Sequence, residues 1–153
     1  MMITSRIATP DDLPWLHELV PRLRGFGPAP LRPARAMDEA EQRAFENALR
    51  APDPGDCVVV AELDGQRAGA AMFEELTDYF TGEAHGHLSI IIVAETAEGQ
   101  GVGKALLDAC EGWARDRGYR FVTLNVFDGN RRARKFYERN GWRPDVVKYL
   151  KEL

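Results

Sequence analysis

Between residues 57 and 142 the chain alternates between runs that read as strands and runs that read as helices. Residues 57–63 are almost wholly apolar, Asp64-Gly65 supplies a two-residue turn, and 67–76 form a second apolar-rich run, which together predict a β-hairpin. Residues 77–86 read as a loop and 87–95 as a largely buried strand centred on Ile90, Ile91, Ile92 and Val93. Beyond a glycine cluster, Val102, Ala105, Leu106, Ala109, Cys110, Trp113 and Ala114 recur at helical spacing, and Gly118 supplies the stop. Residues 120–127 predict another strand. Asn130 opens a helix that runs to about Asn140 and ends at Gly141, and 146–153 predict an edge strand.

The first fifty residues are less regular. A strand at 3–8 precedes a helix from Pro14 to about Leu23, with Asp11 or Asp12 placed to cap it. The loop 25–33 is rich in Gly and Pro, a helix spans about Met37 to Leu49, and 51–56 break the chain again. The order β-α-α-β-β-β-α-β-α-β predicts an α+β (mixed α/β) fold, with a mostly antiparallel sheet and about four helices. It is expected to be one domain over residues 1–153, a length that supports a core of its own.

Composition narrows the classes. No apolar run is long enough to cross a membrane, and the first twelve residues lack the apolar stretch of a secretion signal. Cys57 and Cys110 stand alone, with neither disulfide-framework nor zinc spacing, so a reducing cytoplasm is the expected setting. His85-x-His87 has no third ligand in view, so no metal is expected. The charge is divided: 8 basic against 16 acidic residues up to 97, then 12 basic against 8 acidic. Such a division suits a cationic acceptor and an anionic cofactor. The Arg131, Arg132, Arg134, Lys135 group reads as an attractor for that anion and not as a nucleic-acid patch.

Gly99, Gly101 and Gly103 fall on alternate positions between the 87–95 strand and the following helix, where main-chain amides can face an anion. A P-loop would need one more residue before Gly103-Lys104 and a Ser or Thr in place of Ala105. A dinucleotide-binding turn would need GxGxxG and an acidic residue closing the next strand, where Val126-Phe127 stand. A third pattern fits. Glu98-x-x-Gly101-x-Gly103, followed at the right distance by Asn130, Ala133, Tyr137, Gly141 and Trp142, resembles the two signature segments of the GCN5-related N-acetyltransferases. The departure is Glu98, where that family usually has Arg or Gln.

The resemblance implies a sheet splayed between its fourth and fifth strands, with acetyl-CoA as cosubstrate and a small-molecule or peptide amine as acceptor. The coenzyme would contact Ile91, Ile92 and Val93, the turn Gly99, Gln100, Gly101, Val102, Gly103 and Lys104, and then Asn130 and Ala133. Glycine at 101 and 103 is expected to keep the backbone open to phosphate. Tyr137 is the expected acid for the departing thiolate. His87 or Glu83 is the expected base, with Glu74 or Glu75 as alternatives acting through water, since an amine must shed a proton before it can attack. Glu74, Glu75, Asp78 and Glu83 are expected to form an acidic approach for the amine, with Tyr79 and Phe80 as an aromatic wall. An alternative is a non-catalytic acyl-CoA-binding module, which would need no phenol beside sulfur. No membrane or nucleic-acid partner is expected, and the C-terminal strand leaves an edge for a homodimer.

Overall fold

A computed structural model describes all 153 residues. Strands β1 (Ile3–Ile7), β2 (Cys57–Leu63), β3 (Gln66–Thr77), β4 (Ala84–Val93) and β5 (Val122–Leu124) form one sheet in the order β1-β2-β3-β4-β5. The first three pairings are antiparallel, whereas β4 and β5 run parallel. Helices α1 (Leu13–Leu19) and α2 (Ala34–Arg50) precede β2, α3 (Val102–Asp116) links β4 to β5, and α4 (Arg131–Arg139) follows β5.

The hairpin turn forms as its residues dictate. Asp64 and Gly65 both take positive φ, 51° and 82°, the twist that joins two adjacent antiparallel strands. Alternation then gives the sheet two apolar faces. Val58, Val60, Ala70, Met72, Ile90 and Ile92 pack under α1 and α2 around Leu16 and Phe45. Val59, Ala61, Ala71, Phe73 and Leu88 pack under α3 around Leu106, Leu107 and Cys110.

Several boundaries depart from the expectations. Pro21 removes an amide that an α-helix would use, so α1 ends at Leu19 and tightens into a 3₁₀ turn over Val20–Arg24. Helix α2 starts at Ala34, directly after Pro33. Asp12 does not cap α1 with its side chain. It is 1% exposed, and its carboxylate accepts from Arg6 (2.8 and 2.9 Å), Arg67 Nε (3.0 Å) and the Thr9 amide (2.9 Å). Those bonds tie β1 and β3 to the start of α1, and the two guanidiniums hold the carboxyl down at about 2.

Strand β5 is three residues long, where eight were expected. The predicted strand at 146–153 does not form: residues 143–153 have no regular secondary structure, are exposed and make no hydrogen bond. Val147 is 66% and Tyr149 91% exposed. The reason is positional. A strand needs a neighbour, and nothing in the chain pairs with this segment or with the outer edge of β5.

Candidate active site

The site begins where β4 leaves β5. The two strands pair only as Gly86 with Val122, His87 with Thr123 and Leu88 with Leu124. Just beyond, a bulge puts Met72 opposite Ile90 and Phe73 opposite Leu88, leaving Ser89 unpaired. The Ala94 amide donates to Ala68 O (2.8 Å), which makes Ala68/Ala94, Ala70/Ile92 and Met72/Ile90 the hydrogen-bonded pairs of this antiparallel ladder. The main-chain groups of Ile91 and Val93 therefore point away from β3, into the opening. Ile92 does not join them: its polar backbone is spent on β3 and its side chain is buried under α1 and α2.

Next to this edge lies the glycine turn. Gly99 and Gly101 have φ of +74° and +88°, a conformation that side chains with Cβ rarely adopt. No main-chain acceptor takes the amides of residues 99–104, so six successive N–H groups remain available at the N-terminus of a fifteen-residue helix. Gly103 has a different reason to be glycine. A Cβ there would come within 3.1 Å of the Phe136 ring, so its smallness lets α4 pack on α3 and does not keep room for phosphate. Val102 is core, Gln100 donates to Thr96 O (3.2 Å), and Lys104 pairs with Asp108 (2.8 Å) along α3. The side chains of all three are thus engaged elsewhere, which leaves their amides. Glu98 does not stand free in solvent: its carboxylate is held by Arg22 and lies 3.6 Å from Arg132.

Asn130 caps α4 by accepting the Ala133 amide (3.3 Å), so both residues serve the helix start. Tyr137 packs among Phe136 and Trp142, against the core under α3. Burial pushes its phenol up to about 12, and the hydroxyl has no partner within the chain. The group thus keeps its proton at neutral pH and has it free to donate.

His87 and Thr123 alternate with Leu88 and Leu124 and stand on the other face of the sheet from Tyr137. His87 is 8% exposed and its Nδ1 lies 2.8 Å from Thr123 Oγ1. Burial lowers its pKa, the neighbouring His85 adds to that, and Glu74 opposes it. The imidazole is therefore neutral at pH 7 and able to accept a proton. Glu83 is placed differently. Arg120 grips its carboxylate with two hydrogen bonds (2.7 and 3.0 Å) at the β3–β4 turn and holds its pKa low. Glu75 accepts from the Tyr119 hydroxyl, and Asp78 caps its own turn at Phe80 and Thr81. Tyr79 and Phe80 stack edge-to-face on each other at the exposed hairpin tip. The expected acidic approach is thus largely spent on local structure.

Other groups at the opening have no sequence signature. Arg22 Nε donates to Val93 O (2.7 Å), reaching from the turn after α1 to the free edge of β4. Ser89 Oγ, in the bulge, is buried without a partner. From the loop 25–33, Phe26 stacks on Phe127 at 5.2 Å and the Arg32 guanidinium sits 5.5 Å from the same ring, which pins that loop to the chain after β5.

A strand pair that parts beside a glycine turn defines a class of proteins, and residues 19–142 match the model of the acetyltransferase (GNAT) family. The chain belongs to that family. It is 33% identical over 124 residues to a mycothiol acetyltransferase of Beutenbergia cavernae, a match covering 81% of this chain and 39% of that protein. An uncharacterized N-acetyltransferase of Bacillus subtilis, YhfO, is 30% identical over 115 residues, with 73% of this chain and 74% of that protein covered. Among solved structures, a GCN5-related N-acetyltransferase from Ralstonia eutropha superposes with a TM-score of 0.77 at 19% identity, covering 99% of both chains. This chain thus spans well under half of the mycothiol enzyme's length.

Proposed function

We propose that this protein transfers an acetyl group from acetyl-CoA to the primary amine of a small molecule or peptide. The observation that carries the reading is the opening itself: Ile91 and the Val93 amide turn unpaired backbone towards it, the Val93 carbonyl being held by Arg22, beside six unspent amides at 99–104. A polar arm ending in phosphates suits that pairing of an open strand edge with a helix N-terminus. When bound, the cosubstrate supplies a thioester, whose carbonyl carbon is the electrophile. On the chain's side, neutral His87 accepts the amine's proton from one face of the sheet, and Tyr137 gives a proton to the leaving sulfur from the other. The loop 25–33, held by Phe127, forms the acceptor-side wall. A cytoplasmic setting agrees with two unpaired cysteines whose thiols burial pushes up, Cys110 to about 12.

The reading extends to assembly as a homodimer, because residues 146–153 expose apolar side chains and the outer edge of β5 is open. The activity is tested by following thiol release from acetyl-CoA with a panel of amines. Amine-dependent release supports transfer. Coenzyme binding without release across the panel would make the protein an acyl-CoA-binding module instead.

A further inference from the structure

Glu98 reverses the charge usual at the first position of the glycine turn, and the structure shows what surrounds the reversal. Arg22 reaches its carboxylate from the α1 side of the sheet, and Arg132 reaches it from α4 on the other side. The two guanidiniums hold the Glu98 carboxyl below its ordinary range, so it is ionised at neutral pH. The trio then carries one net positive charge, the same as a single arginine at that position. Arg22 also has donors to spare. A guanidinium has five N–H groups, and Arg22 spends one on Val93 O and one on Glu98. Arg132 stands largely in solvent, at 3.6 Å from the carboxylate. Of the other nearby cations, Lys104 is paired with Asp108 and Arg134 with Asp128, while Arg131 and Lys135 have no ion pair and, unlike Arg132, do not reach Glu98.

We propose that Arg22 and Arg132 are the side chains that bind the phosphate groups of the cosubstrate, and that Glu98 is a positioning residue that presents them. The inference rests on the reading of the opening as a coenzyme A site. A guanidinium fork matches two phosphate oxygens at once, which the compact ammonium of Lys104 cannot do. Arg22 comes from the root of the loop 25–33, so the same residue fastens the acceptor wall to the anion site.

The experiment is calorimetric titration of coenzyme A, and of pantetheine at millimolar concentration as the arm without phosphate. Arg22→Ala should weaken coenzyme A binding tenfold or more, cost pantetheine no affinity even though it frees Val93 O at the strand edge, and flatten the salt dependence of coenzyme A binding. Arg132→Ala should act in the same direction, and Arg22→Lys should keep part of the affinity while retaining the charge if the alanine variant folds poorly. The double variant Arg22→Ala with Glu98→Gln restores the trio's net charge. Under the proposal it remains at least fivefold weaker than the parent, whereas full recovery would show that Arg22 merely cancels Glu98 and would overturn it. Unchanged coenzyme A affinity in folded Arg22→Ala, or an equal loss for pantetheine, would also overturn it. Failure of the parent protein to bind coenzyme A, or full binding by Gly101→Val, would sink the site itself.

Discussion

Tyr137 and His87 have opposite needs, and burial serves both. Removing a phenol from water raises its pKa and removing an imidazole lowers it, because in each case the charged form is disfavoured. Tyr137 therefore stays protonated and His87 stays neutral across the neutral range, which are the forms an acid and a base require. Tyr137→Phe should lower kcat by about 10²-fold with little change in coenzyme A affinity, the signature of an interaction made in the transition state. Retained kcat, measured where chemistry limits the rate, would return Tyr137 to a packing role. For His87 the sign is fixed by its lowered value. Since the neutral ring is the active form, the acid limb of kcat/KM should lie below the 6.5 of an ordinary imidazole, with activity lost as the pH falls through it. His87→Gln should abolish that acid limb along with most of the activity, and an unchanged limb would assign the base elsewhere. Gly103 shows the limit of reading single residues. The sequence suggested a phosphate neighbour, while the structure supplies Phe136, a contact between two helices that no local pattern reveals.

At the level of elements, what was legible was local. The hairpin turn needs positive φ at two successive residues, and Asp64-Gly65 announces that; α3 and α4 carry their own periodicity and their own start and stop residues. The glycine turn and the parting of β4 from β5 were likewise readable, the latter through family resemblance. Elements that depend on a partner far along the chain were not. The length of β5 depends on how long β4 stays beside it, and the role of Asp12 depends on Arg6 and Arg67 converging on it from two strands. That convergence makes a prediction about stability. Asp12→Asn leaves two guanidiniums without their carboxylate and should cost about 2–3 kcal/mol, measured by denaturant unfolding. The carboxyl's folded value is depressed from 3.8 to about 2, so its contribution is complete above pH 3.8 and disappears as the pH falls through 2. The difference between parent and variant should shrink over that window, and a constant difference would locate the effect elsewhere.

For the whole molecule, the stretch at 146–153 is exposed and the outer edge of β5 is open, and the proposed homodimer would pair one with the other. If a second copy makes that pairing, light scattering at micromolar concentration should report a dimer. Val147→Asp combined with Tyr149→Asp should then give a folded monomer, since a charge on each of two apolar side chains opposes pairing. A parent protein that is monomeric across that range would refute the assembly. The uneven charge along the chain has its counterpart here as well: the surplus of basic residues after 97 includes Arg132 and the α4 face beside the opening, while much of the acidic surplus is consumed in turns and ion pairs.

The short β4–β5 pairing also sets which part of the molecule breathes. Nine residue pairs join β3 to β4 and three join β4 to β5, so the chain from β5 through α4 is the least firmly tethered portion of the sheet layer. Its amides should exchange with deuterium well before those of β2 and β3. A ligand bridging the opening would stitch the two strands together where the protein itself does not. Coenzyme A should therefore slow exchange in α4 and β5 by a much larger factor than in the hairpin, and the bound small molecule then acts as the missing rungs of the ladder.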